Sequence, residues 1–500
     1  MDQPAPQAVR GHATPALSHA DIRTIILGIM LAMLLAALDQ TIIATALPTI
    51  GRELGDLEHL PWVVTVYLLT STAVTPLYGK FSDSHGRRIT MLIGIVIFIV
   101  GSIACAVASS MLVLILARGL QGLGGGGLIA LAQTIVADLV PPKERGKYQV
   151  YFASVFMTSS LLGPVLGGFF AEHLHWSVIF WINLPLGLIA FLLVFHSLKK
   201  LPRHDRPHKL DLLGASLMVA ATVSLLLALS WGGLRYPWFS LPVIGLVIGS
   251  LVLWGLFAMR MRLAPEPLIP PGVLHNQVVR MGVLAACFGM GTYIGLTIYL
   301  PVYFEAVRGL SASVSGLALI PLMAGTVCGA TISGRSMAKV KHYKRLPVGG
   351  LVVAMVAAGL LAAFARDLPI AMVEVLLAVI SIGLGTVLPV STVAIQNAVL
   401  PHELGTATGT ANFFRSLGGA LIVAVFGAIV LSGSGLSGAA SFETLAGAAA
   451  QSGIDLADIF AYVFVAAIVG FGLALAFIIA MEERPLRGSA VTAAEAAIAD

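Results

Sequence analysis

The first long apolar stretch of the chain is Thr24-Ile-Ile-Leu-Gly-Ile-Met-Leu-Ala-Met-Leu-Leu-Ala-Ala-Leu-Asp-Gln-Thr-Ile-Ile-Ala-Thr-Ala-Leu47, in which Asp39 is the one charged residue. An α-helix needs about 20 mostly apolar residues to cross a bilayer, and this stretch is long enough. It is too long for the apolar region of a cleavable signal peptide. Similar stretches recur along the chain and predict fourteen membrane spans, at residues 24–47, 61–80, 89–108, 111–137, 147–171, 177–197, 211–231, 240–260, 278–304, 312–333, 346–365, 370–393, 406–432 and 457–480.

The composition also indicates a membrane protein. Of the 500 residues, 58% are hydrophobic and 11% are charged, whereas a soluble domain carries about 25% charged residues. The three cysteines lie inside apolar spans, so we expect neither a disulfide nor a metal site. The basic residues sit in short loops, which argues against nucleic-acid binding, and no phosphate-binding glycine loop occurs. The sequence therefore predicts an all-α integral membrane protein that is not an enzyme and needs no cofactor.

The placement of Lys and Arg tests this map, because cytoplasmic loops of membrane proteins are enriched in both. With the N-terminus in the cytoplasm, 23 of the 29 basic residues fall on the cytoplasmic side. The six exceptions are Arg52, Arg235, Arg308 and Arg366, which fall outside, and Arg118 and Arg415, which lie within spans. A miscount of one early span would destroy this bias. We therefore expect both termini to be cytoplasmic, in a protein of the cytoplasmic (inner) membrane.

Two short patterns occur twice in the chain. The segment Gly79-Lys-Phe-Ser-Asp-Ser-His-Gly-Arg-Arg88 resembles Gly334-Arg-Ser-Met-Ala-Lys-Val-Lys-His-Tyr-Lys344, and Pro142-Lys-Glu-Arg-Gly146 resembles Pro401-His-Glu-Leu-Gly405. The similar offsets predict a duplicated bundle of six helices, with two further helices inserted. The predicted parts are a cytoplasmic tail (1–23), a first bundle (24–200), an inserted pair with basic linkers (201–277), a second bundle (278–480) and a cytoplasmic tail (481–500).

The segment Gly79–Arg88, a predicted cytoplasmic gating loop between the second and third spans, has the form G-x-x-x-D-x-x-G-R-R. Gly79 and Gly86 permit close approach and a tight turn. Asp83 can cap a helix or pair with an Arg of a neighbouring helix, and Arg87 and Arg88 follow. The pattern favours a charged clasp that holds one state of a two-state transporter; the alternative is a turn whose arginines only set topology.

Asp39 and Arg118 are charged residues inside predicted spans. Such residues are costly in a membrane and are usually functional. At about 1.5 Å per residue, Asp39 lies about 12 Å and Arg118 about 10 Å below the outer ends of their predicted helices. The two side chains therefore share a depth, and we expect them to pair. Asp39 is a candidate proton carrier; the alternative is a static ion pair. Gln121 and Gln133 follow Arg118 on the same predicted helix and are candidates for hydrating or orienting this site or for lining the substrate path.

Other polar or special residues in spans are further candidates. Pro164 bends the fifth span, and Gly163, Gly167 and Gly168 offer a smooth face to a partner helix; the bend can seal a pathway or act as a hinge, or be a packing feature only.

Three further residues are polar or charged within the later spans. Arg415 lies near the middle of the thirteenth span and needs an acid, carbonyls or a water-filled cavity, and Asn412 lies one turn before it. Glu374, near the outer end of the twelfth span, is a candidate second proton or cation site, or an acid at the outer mouth.

These motifs resemble those of the major facilitator superfamily, and in particular its fourteen-span drug:proton antiporters. The resemblance extends over nearly the whole chain. It rests on Leu38–Pro48, Gly79–Arg88, Arg118–Gly124, Gly163–Gly168 and Trp176–Pro185. It implies two six-helix bundles around a substrate site, proton coupling through Arg118, and an antiporter motif at Gly163–Gly168.

We therefore predict a proton-coupled exporter of amphipathic small molecules, cationic ones included. The alternatives are an exporter of an endogenous metabolite or lipid, a non-transporting membrane sensor, and, disfavoured by the fifth-span motif, an importer. The expected partners are the lipid bilayer, a small-molecule substrate and protons. We expect a monomer, and the loop between Leu431 and Asp455 leaves room for an envelope partner.

Overall fold

In a computed structural model, residues 19–56, 59–200, 211–233, 235–364, 366–433 and 456–488 are described. The predictions for the extreme termini, for much of the basic linker after the first bundle and for most of the loop between Leu431 and Asp455 lie outside the described residues. The described residues form α-helices and contain no β-strand. These helices are α1 (His19–Leu54), α2 (Leu60–His85), α3 (Arg87–Ala106), α4 (Met111–Gly125), α5 (Leu128–Leu139), α6 (Pro142–His173), α7 (Val178–Trp181), α8 (Asn183–Ser197), α9 (Leu212–Trp231), α10 (Leu241–Leu263), α11 (Pro271–His275), α12 (Gln277–Ala306), α13 (Ala312–Leu317), α14 (Ile320–Met337), α15 (Arg345–Phe364), α16 (Ile370–Gly385), α17 (Val387–Asn397), α18 (Leu404–Gly433) and α19 (Leu456–Ala480).

These helices provide fourteen segments that are long and apolar enough to cross a membrane, as predicted. The fourth, sixth, tenth and twelfth segments each consist of two consecutive helices. The largest boundary error concerns the first span, which was predicted to end at Leu47. Helix α1 continues through Pro48 to Leu54 because its last turns still pack inward, with Ile50 fully buried.

The fourth and twelfth spans break at equivalent places, which supports the duplication. Helix α4 gives way to α5 at Gly126, whose carbonyl oxygen accepts a 2.8 Å hydrogen bond from Thr75 of α2. About 260 residues later, α16 gives way to α17 at Thr386, whose carbonyl oxygen accepts a 3.2 Å hydrogen bond from Ser333 of α14. A broken helix inside a membrane needs partners for its freed backbone groups, and here each half supplies a hydroxyl.

The two halves meet at one end of the bundle, which we call the basic face. It comprises the connections α2–α3, α5–α6 and α14–α15 together with residues 481–488. Gly79 of α2 lies against the backbone of Gly405 in α18, and Gly146 of α6 lies against Gly334 of α14. Each contact therefore joins the two different repeated patterns: a glycine of the Gly79–Arg88 type in one half touches a glycine of the Pro142–Gly146 type in the other half. An apolar cluster that includes Ala137, Ile395 and Ala407 fills the same region.

The inserted helices α9 and α10 pack together and lie over the line where α2 and α18 meet. Trp231 of α9 contacts Trp62 of α2 edge to face, with ring centroids 5.8 Å apart. Trp254 of α10 lies 6.0 Å from Phe413 of α18. Asp211 caps the start of α9 and forms an ion pair with Arg260 of α10 at 3.1 Å. Helices α9 and α10 therefore bridge the first and the second half.

Residues 481–488, which we call the strap, cross the basic face after α19. Asn397 of the second half donates to the carbonyl oxygen of Pro485 at 3.1 Å and accepts from the backbone nitrogen of Arg487 at 3.2 Å. The carbonyl oxygen of Arg487 accepts from Lys143 at the start of α6, at 3.3 Å. Burial raises the pKa of Tyr343 to about 12, so this hydroxyl stays protonated and donates to the carbonyl oxygen of Arg484 at 2.9 Å. The strap thus connects both halves while the basic face is closed.

Candidate functional site

Asp39 and Arg118 form a buried ion pair inside the first half. The Arg118 guanidinium donates to Asp39 Oδ2 at 2.5 Å, and each side chain is only 1% exposed. Arg118 also donates to the backbone carbonyl of Val63 at 3.1 Å and to Gln121 Oε1 at 2.6 Å. Gln121 donates in turn to Asp39 Oδ1 at 2.8 Å. The predicted pairing is therefore present, and Gln121 orients it.

Two residues that the sequence analysis had not proposed as site residues complete this cluster. Asn183, at the start of α8, donates to Asp39 Oδ1 at 3.2 Å, and Ser102 of α3 accepts from Gln121 at 2.7 Å and from Asn183 at 3.3 Å. A polar residue between the apolar runs of a predicted span was the available signal for Asn183. The Arg118 guanidinium lies over the ring of Tyr67, 4.3 Å from its centroid. Every oxygen of the Asp39 carboxylate therefore has a donor, as a buried charge requires.

The predicted depth of Asp39 was counted from Leu47, which is not the end of the first helix. Because α1 continues to Leu54, Asp39 lies about 15 residues, or about 22 Å, from its end. Arg118 lies about 10 Å from the start of α4. The two side chains still meet because the last turns of α1 extend beyond the start of α4.

Helix α6 packs tightly on α1 just beyond Asp39. A methyl group on Gly163 or Gly167 would overlap Thr41 and Ile42 of α1. Thr41 donates to the carbonyl oxygen of Ser159 at 2.7 Å, and Thr45 donates to that of Pro164 at 3.2 Å. The predicted glycine face therefore lies against α1.

The prediction for Gly168 was wrong. Among the described residues, nothing beyond its own helix lies within 4 Å of the position that a methyl group on it would take, because it follows Gly167 and points away from α1. Pro164 itself is exposed, and α6 stays helical from Pro142 to His173 around it.

A narrow cavity lies between the halves, close to the closed basic face. Gln133 of α5 lines it from the first half, and residues of α12, α17 and α18 line it from the second. The polar residues lining it are Gln133, Ser391, Thr392, Gln396, Thr408, Asn412 and Arg415. Three predicted substrate-path residues, Gln133, Asn412 and Arg415, are thus brought together here. Gln121 is not, because it belongs to the Asp39 cluster.

The polar groups of this cavity are linked across the two halves. Asn412 donates to Gln133 Oε1 at 2.8 Å and to the carbonyl oxygen of Thr408 at 2.9 Å, and it accepts from Arg415. Gln396 donates to the carbonyl oxygen of Gln133 at 3.4 Å. Gln133 is 2% exposed, and its Nε2 has no hydrogen-bond partner within the described chain. The cavity therefore has donor capacity that the protein does not use.

The segment Gly79–Arg88 forms a clasp between the halves, although it is helical rather than a loop. Helix α2 ends at His85, and Gly86 alone, with a φ of 91°, connects it to α3. The Asp83 carboxylate accepts from the backbone nitrogens of Gly405 and Thr406 at 2.9 and 2.7 Å. It thus caps the start of α18, in the opposite half.

The two arginines of this segment act within the first half. Arg87 is paired with Asp83 and, at 2.8 Å, with Asp138 of α5. Arg88 donates to the carbonyl oxygen of Phe195 in α8 at 3.1 Å and lies over the Phe195 ring. Arg87 therefore supports the acid of the clasp, whereas Arg88 takes no part in the contact between the halves.

Glu374 lies five residues into α16, half-buried and apart from both the ion pair and the cavity-lining residues. The structure brings no other candidate residue to it. Its role as a second proton or cation site stays a prediction.

Two pseudo-repeated six-span halves that enclose a polar cavity, closed at one end by a clasp between them, define a membrane transporter rather than an enzyme. The sequence model of the Major Facilitator Superfamily matches residues 29–423, and the chain belongs to this superfamily. The chain is 35% identical to multidrug transporter protein MdtP of Bacillus subtilis (strain 168) over 413 residues, which cover 82% of this chain and 76% of the relative. It is 34% identical to multidrug resistance protein 3 of the same organism, over 83% of this chain and 81% of the relative.

Solved structures share the fold at low sequence identity. The proton:xylose symporter XylE bound to 6-bromo-6-deoxy-D-glucose superposes with a TM-score of 0.63 at 16% identity, covering 94% of this chain and 98% of that one. A bacterial homologue of the iron transporter ferroportin, in an outward-facing state, superposes with a TM-score of 0.64 at 12% identity, covering 93% of this chain and all of that one.

Proposed function

We propose that this chain is a proton-coupled antiporter that exports amphipathic small molecules by alternating access. In this proposal it lies in the cytoplasmic membrane with the basic face and both termini in the cytoplasm. The observation that carries the proposal is the buried Asp39–Arg118 pair, held by Gln121 and Asn183. Export is supported by the names of the two Bacillus subtilis relatives, a multidrug transporter protein and a multidrug resistance protein. The orientation is supported by the excess of Lys and Arg at one face.

Asp39 has the properties of a proton carrier because Arg118 has other partners. When Asp39 takes up a proton, the charge attraction of the pair is lost. Arg118 keeps the carbonyl oxygen of Val63, Gln121 Oε1 and the face of the Tyr67 ring. Arg118 therefore stays hydrogen-bonded when Asp39 is protonated but loses its counter-ion, and this difference between the two charge states is what a protonation switch requires. Each proton that moves inward across 100 mV releases about 2.3 kcal/mol for export.

Helix α6 connects this switch to the gate. Its glycines Gly163 and Gly167 pack on α1 next to Asp39, while Gly146, near its start, touches Gly334 of the second half. A change in the packing of α1 on protonation thus reaches the contact between the halves through one continuous helix. This is the route by which proton uptake would alternate the accessible face.

The test is transport by purified protein in proteoliposomes with an imposed pH gradient. Ethidium, 8-anilinonaphthalene-1-sulfonate and laurate serve as a panel of dyes and a lipid-like cargo, and a pH dye inside the vesicles reports proton movement. We expect the native chain to couple cargo to proton flux and Asp39→Asn to lose the coupling. Glu172→Gln, which removes an exposed acid, is the matched control.

Full proton-dependent transport by Asp39→Asn would overturn the assignment of Asp39. Movement of laurate without either dye would favour an endogenous lipid or metabolite as cargo. Absence of both cargo and proton movement in the native chain would leave a sensor as the better proposal.

A further inference from the structure

Arg415 places a positive charge in the cavity between the halves. It lies on α18, about 11 residues from the start of that helix, and is partly exposed to the cavity. Within the described chain its side chain donates one hydrogen bond, to Asn412 Oδ1, an uncharged acceptor. A guanidinium has five N–H donors, so most donors of this lining residue have no acceptor within the described chain.

The described residues that line the cavity are polar or apolar and include no Asp or Glu that would offset this charge. Three inward-lying acids of the first half already have cationic partners: Asp39 pairs with Arg118, and Asp83 and Asp138 pair with Arg87. A buried cation without a counter-ion is costly in a membrane protein, and an anion in the cavity would relieve that cost.

The neighbouring groups add further donors. Gln133 Nε2 is buried and has no partner. Its Oε1 is occupied by Asn412, and Asn412 in turn gives its own oxygen to Arg415. These two acceptor oxygens are thus used within the protein, whereas donors of Arg415 and Gln133 are left over. The apolar side chains of Ala286 and Leu388 form part of the same wall.

We infer that this cavity binds the anionic group of an amphipathic organic anion, such as a carboxylate or sulfonate, through Arg415 and Gln133. The inference rests on the proposed export function and specifies its cargo. It replaces the expectation, from the sequence, of cationic molecules. The apolar wall holds the remainder of the molecule. Exchange of a monovalent anion for one proton moves two charges in the direction that an inside-negative potential favours.

Two dyes that differ by one group test the inference. 8-Anilinonaphthalene-1-sulfonate carries a sulfonate that N-phenyl-1-naphthylamine lacks. The measurement is the binding of radiolabelled sulfonate dye to purified protein, counted as the part that excess unlabelled dye displaces. We expect unlabelled sulfonate dye to displace the label at a concentration at least about tenfold lower than the neutral analogue needs. The reason is that hydrogen bonds to charged groups contribute about tenfold or more to affinity. Ethidium, a cation, is expected not to compete.

The variants locate the anion. Arg415→Gln is expected to weaken sulfonate binding at least about tenfold and to leave the affinity for the neutral analogue unchanged, because only the charge interaction is lost. Arg415→Lys retains the charge and part of the affinity. Arg262→Gln, which removes an exposed charge outside the cavity, is the matched control. Gln133→Leu, which removes the unpartnered donor, provides a second test if Arg415→Gln fails to fold, and it too is expected to weaken sulfonate binding.

Equal competition by the neutral dye or by ethidium, unchanged binding in both Arg415→Gln and Gln133→Leu, or no displaceable binding of the sulfonate would each overturn the inference. Because binding needs no gradient, these outcomes are independent of the proposed function. A protein that binds the sulfonate without coupling any cargo to protons would refute antiport and keep the anion site. A protein that exports ethidium with protons and does not bind the sulfonate would refute the anion site and keep antiport.

Discussion

A methyl group on Gly146 of α6 would lie 2.8 Å from the carbonyl oxygen of Gly334 in α14, across the boundary between the two halves. This separation is too short for any side chain, so the closed basic face depends on glycine at both positions. The pseudo-equivalent contact between Gly79 and Gly405 is equally close. The contact between Gly146 and Gly334 lacks the acid that Asp83 supplies to the other contact, because Ala338 stands at the corresponding position of the repeat.

Gly146→Val should therefore disfavour the closed basic face. Overpacking costs about 1–3 kcal/mol, which shifts the equilibrium between states by about fivefold to a hundredfold. The measurement is maleimide labelling of a single cysteine at Ala407, which is fully buried in the closed face, in a chain whose native cysteines are alanine. We expect faster labelling. The control is Gly349→Val, whose new side chain lies in open space at the same end, and Ala407→Cys should be labelled in it as fast as in the chain without either valine. Equal labelling rates in the two valine variants would contradict the role of the contact.

Asp83→Ala should open the same face for a different reason. It removes the acceptor for the backbone nitrogens of Gly405 and Thr406, and hydrogen bonds to a charged group contribute about 1.5–3 kcal/mol. Labelling at Ala407→Cys should rise at least about tenfold. Asp83→Asn keeps one acceptor oxygen and should give an intermediate rate. Glu403→Gln changes another acid at this end and should have no effect; if it matched Asp83→Ala, general loss of negative charge would be the cause.

Neutralising both members of the Asp39–Arg118 pair separates a proton carrier from a static pair. Each single change, Asp39→Asn or Arg118→Gln, leaves a buried unpaired or unsatisfied group and should destabilise the protein by about 3–5 kcal/mol. The double variant leaves no unpaired charge and should recover much of the thermal stability, since contacting residues are not additive. Proton-driven transport should stay absent in it. Recovery of transport along with stability would identify the pair as structural only.

Asn397→Ala should release the strap, because it removes both side-chain hydrogen bonds that hold Pro485 and Arg487. The expected result is trypsin cleavage after Arg487 that is several-fold faster than in the native chain, followed by mass spectrometry. Local opening of this kind tracks the hydrogen bonds that protect a segment. Ser336→Ala at the same face is the control, and unchanged cleavage in Asn397→Ala would show that other contacts hold the strap.

The sequence predicted the helices and the partners of some charges better than it predicted which way side chains point. Length and hydropathy are properties of each segment, so the fourteen spans could be found without knowing their neighbours. The Asp39–Arg118 pair was also predictable, because a buried charge requires a partner and only a few are available. The predicted first helix was too short, but the pairing was still predicted correctly because α1 extends beyond the start of α4.

What failed depended on helix faces and contacts between distant segments. Gly167 and Gly168 are neighbours in the chain, yet only Gly167 touches α1, and one residue of rotation decides this. Gln121 and Gln133 were treated alike, but the break at Gly126–Gly127 separates them, so that one joins the ion pair and the other the cavity. The strap lies where the chain has no periodic pattern, so its contacts with Asn397 and Lys143 had no signal in the sequence.

Helices α9 and α10 also change what the surrounding lipid can reach. Of the two seams where the halves meet, the one between α2 and α18 is covered by this pair through Trp62–Trp231 and Trp254–Phe413. The seam between α6 and α14 has no such cover in the described chain. Lipid around the protein therefore has access to the seam where Gly146 and Gly334 touch, whereas α9 and α10 shield the seam between α2 and α18. The inserted pair thus makes two nearly equivalent contacts between the halves unequal toward the membrane.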